Sequence, residues 1–581
     1  MSLFTIWDYL VLLLVLASSA AIGVYYRLTG GRQKTTKEYL LADGNMPAWP
    51  VAFSLMASFM SAITLLGVSM ESYQYGMMFA WINLSYVLST PIAAYLYLPV
   101  FYNMQNTSVY EYLERRFGFT TRLIASIAFS VQMILYMGIV LYAPALALEA
   151  VTGINKDTAI LTLGLVCTFY STLGGMKAVL VTDVFQSILM FAAIYCVIFC
   201  SAFQGDGFKA IWNTAAANGR LNFDVFTPDP TIRHSFWSLT LGGSVTYLSL
   251  YAINQGQVQR LMSVKSLKGA QRALWLNIPI LCSISFSTLF SGLAIYYYYK
   301  GCDPVLQGRT KVRDQLMPLF VVDTMSKYPG LSGLFVSGIF SASLSSVSST
   351  VSSLVAVTLE DYVKPFCEKV LKKPISESST TLPSKIMVFF YGIICICLAF
   401  SAGALGGVLQ ASLTIFGVVG GPLLGLFTIG IFTTKANQRG ALFGLLVGFV
   451  ISFWIGFGQP KPPIPVLPLT ATECSNFNGT SIMTASNLVP DTTEYFYLFR
   501  ISYLFVAVLG FLITTIVGYV SSIVFEMLKI ADNANIYLNE AKTQIDYDLF
   551  APPISNLLKR KALAQMIVTS ENEYCLKNTE F

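Results

Sequence analysis

The sequence predicts an all-α protein that crosses a membrane many times. Three observations carry that expectation. Hydrophobic residues make up 55% of the 581-residue chain and charged residues only 11%, whereas soluble domains run near one-quarter charged. The apolar residues fall in runs of about 20, the length a helix needs to cross a bilayer core. Basic residues gather between the runs in a pattern that orients them.

Taken in order, about thirteen runs are long enough to span: 5–26, 48–70, 78–102, 123–149, 158–175, 182–203, 237–256, 273–299, 330–356, 386–402, 407–432, 438–456 and 499–526. Span 1 has no basic residue before it and no small-x-small cleavage pattern, so it reads as a retained helix rather than a signal peptide. Span 2, "VAFSLMASFMSAITLLGVS", carries small and hydroxyl residues through its centre. Spans 5 and 6 meet at "STLGGMKAVL" with almost no polar linker. Span 7, "SFWSLTLGGSVTYLSLYAINQGQVQR", holds Gly242-Gly243 and ends in amides. Spans 2 and 7 are five apart, so spans 2–6 and 7–11 read as inverted repeats, each opening with an interrupted helix. Interrupted helices at mid-membrane offer carbonyls to a cation and N–H groups to an anion. Glycine and serine also simply permit close helix packing, and the pattern alone leaves both readings open. The chain then divides into a leading helix and loop (1–47), a first repeat (48–203), a loop (204–236), a second repeat (237–432), trailing helices (433–526) and a polar tail (527–581).

Orientation follows from the basic loops. Arg27, Arg32, Lys34 and Lys37 follow span 1; Arg115, Arg116 and Arg122 follow span 3. Arg260, Lys265, Lys268 and Arg272 follow span 7; Lys364, Lys369, Lys372 and Lys373 follow span 9; Lys435 and Arg439 follow span 11. All follow odd-numbered spans, which places these loops and the tail in the cytosol and the N-terminus outside. The loop 300–328, with Lys300, Arg309, Lys311 and Arg313, falls outside by parity. It is long and mixed in charge, where the rule is weaker. The sequon Asn478-Gly479-Thr480 lies in the outer loop 457–498, so Asn478 is expected to be glycosylated. The sequon at Asn106 lies inside and is expected to be silent. Cys302 and Cys474 both sit in outer loops, where a disulfide between them can form. These features suit a multi-pass protein of the plasma membrane.

Whole classes of function drop out. A net charge of +6, scattered along the chain, offers nothing to nucleic acid. The single histidine, His234, rules out a His-based metal centre and is expected to be a solvated loop residue. The sequence holds no nucleophile–base pair and no phosphate loop, so an enzyme is not expected. Polar residues inside spans are sparse, which makes each informative. Asp183 and Gln186 share a face of span 6. Asn254, Gln255 and Gln257 end span 7. In span 9, "FSASLSSVSSTVSSL", Ser341, Ser345, Ser348 and Ser352 line one face, with Ser346 and Ser349 beside it. Hydroxyls are neutral, hard ligands suited to an alkali cation that must bind and leave. They also bond back to the i−4 carbonyl or pack as small residues.

The blocks "ASFMSAITLLGVSMESYQYG", "TSVYEYLERRFG", "GIVLYAPALALEAVTG", "CTFYSTLGGMKAVLVTDVFQ", "NQGQVQR" and "SLSS…VTLEDYVKP" resemble the sodium/solute symporter family, in the same order. Within it the likeness is to the iodide, multivitamin and monocarboxylate branch, over about residues 5–530. The resemblance implies the five-plus-five inverted-repeat (LeuT-like) fold, with one leading helix and trailing ones. It implies a sodium site built from the carbonyls of Ala57, Met60 and Ala342 and the hydroxyls of Ser345 and Ser346. It implies a second polar, sodium-coupling cluster of Ser58, Asp183, Gln186 and Gln255. The solute pocket would involve Phe59, Thr64, Asn83, Tyr86, Tyr136, Tyr247, Leu409 and Leu413.

Two departures from relatives bear on the solute. Sugar carriers of the family have a Glu-Gln pair in span 2 and a Glu in span 3, where this chain has Ile63, Thr64 and Asn83; a sugar would leave hydroxyls unpaired. Iodide carriers have Gln, Cys, Gln and Trp where this chain has Thr64, Asn83, Tyr86 and Tyr247. No acidic side chain lines the set, which suits an anion. The implied function is sodium-coupled import of a small organic anion, a monocarboxylate or a vitamin carboxylate such as biotin or pantothenate. The alternatives are an iodide or other inorganic-anion symporter and a sensor that binds without transport. Sodium entering down its gradient supplies the drive, about 2.3 kcal/mol per charge per 100 mV from the potential alone. At the C-terminus, Thr579 and Phe581 fit the S/T-x-hydrophobic ending that PDZ domains capture by strand addition.

Overall fold

The computed structural model describes residues 4–29, 41–173, 175–310, 312–369, 372, 380–405, 407–474, 494–528 and 546–564. Asn478, Thr579 and Phe581 lie outside them. Among the described residues there is no strand, only an isolated bridge between Met46 and Val264. The main helices in chain order are α1 (Ile6–Thr29), α2 (Ala48–Phe59), α3 (Ala62–Tyr75), α4 (Met77–Met104), α5 (Glu111–Arg116), α6 (Phe119–Thr152), α7 (Lys156–Leu173), α8 (Met176–Gln204) and α9 (Phe208–Ala217). The second half contributes α10 (Gly243–Tyr251), α11 (Gln255–Met262), α12 (Leu267–Tyr299), α13 (Leu316–Met325), α14 (Leu331–Glu368), α15 (Thr381–Ser401), α16 (Val408–Phe432), α17 (Gln438–Phe457) and α18 (Phe505–Met527). Every predicted span has a helical counterpart. Among the described residues 10 helices are long and apolar enough to cross a membrane, or 11 with the bent pair α2–α3 as one span. The two predicted spans outside that count correspond to α7, which opens on Lys156-Asp157, and α10, which is short because its helix breaks.

Both breaks have a local cause. Between α2 and α3 the axis bends by 63°. Met60 takes an extended conformation (φ −80°, ψ 93°), and Ser61 caps α3 by accepting the Ile63 N–H at 3.2 Å. The last carbonyls of α2 thereby lose the i+4 amides of a continuous helix. The second break lies at 252–254, where Asn254 caps α11 by accepting the Gly256 N–H at 2.9 Å. The interruption is therefore not at Gly242-Gly243, as the glycines suggest. A π-turn over Ser238–Gly242 runs directly into α10. A Cβ on Gly242 would lie 2.7 Å from the Leu504 carbonyl oxygen, and one on Gly243 2.6 Å from the Ser85 hydroxyl. These glycines serve close packing, the other of the two readings.

The broken helix sits at the centre. α2 packs on α8, α12 and α14, and α3 meets α16. The serine-rich α14 is 94% buried over its most apolar window, against 17% for α1, so it is a core helix and not a lipid-facing one. Cys302 and Cys474 form a disulfide, with Cα atoms 5.1 Å apart. It ties the turn after α12 to the strap 458–474, whose Leu467 N–H also donates to the Gln74 carbonyl at 2.9 Å. We call this end of the bundle the disulfide face. At the opposite face Arg116 caps the end of α16 through the carbonyls of Gly430 (3.1 Å), Thr433 (2.7 Å) and Ala436 (3.3 Å).

Candidate cation and solute site

Three helices converge on Asp183 of α8. From α2 the Ser54 hydroxyl donates to its Oδ2 at 2.5 Å, and from α14 the Ser345 hydroxyl donates to Oδ1 at 2.6 Å. From α11 the Arg260 guanidinium stands 3.7 Å from Oδ2. Arg260 also donates to Ser54 Oγ (2.9 Å), to the Gly256 carbonyl (2.7 Å) and to Ser349 Oγ. Ser349 in turn lies 3.0 Å from the Ser58 hydroxyl. Asp183, Arg260, Ser54 and Ser345 are all fully buried. A charge so placed needs both a counter-charge and hydrogen bonds, and this cluster supplies both.

The sequence expectation placed Ser345 with one sodium site and Asp183 with another cluster. In the structure a single hydrogen bond joins them. Ser346 is fully buried beside α2, and its hydroxyl faces that of Tyr136 without a well-formed hydrogen bond. Gln186 is also fully buried, with neither amide atom partnered. Orphaned polar atoms of this kind are costly, and neutral oxygens such as these are of the type a small hard cation takes as ligands. Among the described residues no group of three His, Cys, Asp or Glu could hold a metal, so any cation here is held by hydroxyls, carbonyls and one carboxylate. Gln255 is not part of the cluster. Its amide bonds the Thr107 carbonyl at 2.6 Å and the Val109 N–H at 2.8 Å, pinning the loop before α5.

Sequence reasoning passed over Ser54, Arg260 and Ser349. In the sequence Ser349 is only one more serine beside the hydroxyl face, open to packing or back-bonding. Its neighbour Ser348 does bond back, to the Ser345 carbonyl at 3.1 Å. The missed signal was Arg260 at the end of "NQGQVQR", a charge one helical turn from a broken span.

Beside the cluster lies an aromatic wall. Phe59 meets Tyr86 (6.4 Å between centroids) and Tyr251 (5.7 Å); Tyr247 stacks on Tyr251 at 4.3 Å and lies 5.6 Å from Tyr86. Tyr251 was not among the expected residues. The Tyr247 hydroxyl is engaged by Thr90 at 2.8 Å. Tyr136 packs on Phe416 at 4.7 Å. Asn83 donates to the Ala80 carbonyl and keeps its own Oδ1 buried and unpartnered. Leu409 packs on Gly67 of α3; Thr64 and Leu413 are half-buried. A cavity of about 30 Å³, lined by Ser58, Phe59, Tyr136, Arg260 and Ser349 among others, joins wall and cluster. It has room for about one water, too little for an organic solute.

Ion pairs stand at both ends. On the disulfide face Arg233 binds Glu71 of α3 (2.7 Å) and Gln410 of α16 (2.7 Å), sandwiched between Tyr75 and Tyr503, each 4.8 Å away. His234 is buried here, not solvated. Its Nε2 lies 3.1 Å from the Tyr503 hydroxyl and 3.5 Å from Glu71. Burial, then the charge of Arg233, holds its imidazole well below the usual range, so it is neutral. On the opposite face Arg122 binds Asp361 (2.5 Å) and Glu114 (2.5 Å).

Two interrupted helices crossing at a buried polar centre, with bridges at both ends, define a membrane carrier. Known proteins agree. The sodium:solute symporter family model matches residues 39–448. A Drosophila melanogaster protein provisionally named a sodium-dependent multivitamin transporter is 57% identical, over 97% of this chain and 94% of its own. Human sodium-coupled monocarboxylate transporter 1 is 45% identical, over 90% of this chain and 87% of its own. The substrate-bound, outward-open structure of a Na+-coupled sialic acid symporter is similar with a TM-score of 0.72 and 25% identity, covering 90% of this chain and 98% of that one. The chain belongs to the sodium:solute symporter family, with the inverted-repeat core of that fold, and sodium is its co-transported ion.

Proposed function

We propose that this protein imports a small organic anion, a monocarboxylate or a vitamin carboxylate such as biotin or pantothenate, together with sodium. The observation that carries the reading is the Ser54–Asp183–Ser345–Arg260 cluster, which binds broken α2 to α8, α11 and α14. Sodium would take the carbonyls of Ala57, Met60 and Ala342 and the hydroxyls of Ser345 and Ser346. Asp183 supplies the nearby negative charge, Ser58 joins the cluster through Ser349, and the unpartnered Gln186 amide has oxygen to spare for the ion. Fastening α2 to α14 in this way also sets Phe59 against Tyr86 and Tyr251. The solute and sodium then favour one another, because each steadies the same broken helix. The aromatic wall offers hydroxyl donors from Tyr86 and Tyr136, the Asn83 amide and no carboxylate, which suits an organic anion. The names of the relatives, multivitamin and monocarboxylate transporters, support the same solute class.

The test is uptake into vesicles with labelled lactate, biotin, pantothenate, iodide and glucose. Sodium-dependent accumulation of a carboxylate is expected. Accumulation of iodide or glucose instead, or binding without accumulation, overturns the reading.

We further assign the disulfide face to the outside of the plasma membrane, with the N-terminus outside and the tail in the cytosol. A disulfide belongs in an oxidising compartment. Asn478 is then glycosylated, which an Asn478→Gln shift in gel mobility checks. Thr579 and Phe581 are assigned as a PDZ ligand; pulldown that persists after deletion of the last three residues removes that assignment.

A further inference from the structure

The polar centre does not account for a cavity of about 470 Å³ on the disulfide face, beyond the Glu71–Arg233 bridge. Its volume falls within the range of small-molecule sites, roughly 300–1,000 Å³. Its lining includes an apolar set, Pro462, Ile464 and Pro465 of the strap with Phe499. It also includes three cations, Arg233, Lys461 and Arg500, and no Asp or Glu.

The three cations differ. Arg233 is committed to Glu71 and Gln410. Lys461 is half-buried, and its ammonium donates only to the Gly456 carbonyl. Burial pushes that ammonium down from its ordinary value, with no carboxylate to restore it. Arg500 rests near the Tyr497 ring at 5.8 Å, and its Nε is buried without an acceptor. The carboxylates bonded to lining residues are already engaged. Glu71 holds Arg233, and Asp229 accepts the Thr231 N–H and hydroxyl, both at 2.8 Å. His234, which also lines the cavity, is neutral. Desolvated donors without acceptors are costly, and here they share a lining with proline and isoleucine. The complement of that surface is a molecule with an anionic head and an apolar body.

We propose that this cavity is an antechamber for an amphipathic organic carboxylate, whose head sits on Lys461 and Arg500 and whose body lies on the proline strap. It rests on the carboxylate reading above for the identity of its occupant. The antechamber concentrates the solute next to the bridge it must pass. Arg233 belongs to both, so an arriving anion draws on the guanidinium that Glu71 holds.

The test uses full-length protein in nanodiscs with Ile464→Cys as a reporter, its labelling followed by mass spectrometry. An anionic methanethiosulfonate should label it faster than a cationic one of similar size, by about tenfold after correction for their rates with free thiol. Lys461→Gln with Arg500→Gln should erase that preference, while Lys461→Arg should retain it. Lactate or biotin should slow labelling without sodium present. No anionic preference, a preference that survives the double substitution, or no protection by either carboxylate overturns the proposal. The two readings fail separately. Charge-selective, carboxylate-protected labelling with an empty uptake screen leaves the antechamber and removes the transport reading. Sodium-driven carboxylate uptake with charge-blind labelling does the reverse.

Discussion

Asp183 and Glu71 both face an arginine inside the protein, one at the polar centre and one beneath the disulfide face. Glu71 meets Arg233 directly at 2.7 Å, and the guanidinium is held between two tyrosine rings. Asp183 stands 3.7 Å from Arg260, and its short bonds go to the hydroxyls of Ser54 and Ser345. A direct charge-assisted pair is strong and specific; it suits a bridge that is either made or broken. A carboxylate satisfied by neutral hydroxyls can pass those hydroxyls to a cation without leaving Arg260 alone. The difference teaches that the two pairs are built for different work: a direct bridge suits closing a path, and a hydroxyl-satisfied carboxylate suits reading an ion, as proposed above.

The comparison breaks hardest at Asp183→Asn. Removing one partner of a buried pair costs about 3–5 kcal/mol, so folded yield and sodium-driven uptake should both collapse. Adding Arg260→Gln should restore yield on size-exclusion chromatography but not sodium dependence. Normal uptake in Asp183→Asn would show that this carboxylate does not read the ion. Next in size, Ser345→Ala with Ser346→Ala should raise the half-saturating sodium concentration by about tenfold or more, each tenfold being about 1.4 kcal/mol. An unchanged sodium affinity removes both serines from the site.

A smaller effect sharpens the other half of the contrast. Glu71→Gln weakens a charged hydrogen bond worth about 1.5–3 kcal/mol. It should speed thiol labelling of a Leu413→Cys reporter while leaving sodium affinity nearly unchanged. A large loss of sodium affinity would mean that the two pairs act as one.

The smallest effect concerns Asp314, on the same face, which accepts the Val408 N–H at 3.3 Å. Burial raises its carboxyl to about 6. A carboxyl raised above its unfolded value favours the folded state below that unfolded value, and the advantage is lost as pH rises through about 6. Asp314→Asn keeps the acceptor without the charge. It should raise the melting midpoint by a few degrees at pH above that window and change nothing below it. Equal shifts at both ends would place its effect elsewhere.

Much of the site was visible in the chain, though in separate pieces. Asp183 and Ser345 stood out because a carboxylate and a hydroxyl face are rare inside apolar runs. Their hydrogen bond joins residues far apart in sequence, so no periodicity could report it. Gln255 shows the same limit: an amide next to a broken span reads as a ligand, yet it is spent on the Thr107–Val109 loop. His234 read as solvated because its neighbours are polar. Its burial comes from Tyr75, Phe79 and Tyr503, brought in from elsewhere in the chain.

By itself the sequence determined the order of the apolar helices and the family, and it marked two spans as open to interruption. Hydropathy and helix-breaking chemistry act over one turn or one span, so they are written locally. Only the tertiary structure decided where the second break falls, which arginine answers Asp183, and that glycines 242 and 243 serve packing. It alone brought Lys461 and Arg500 into the lining of one cavity. Those outcomes depend on which side chains share a small volume once the helices have closed on one another, and chain order carries no record of that.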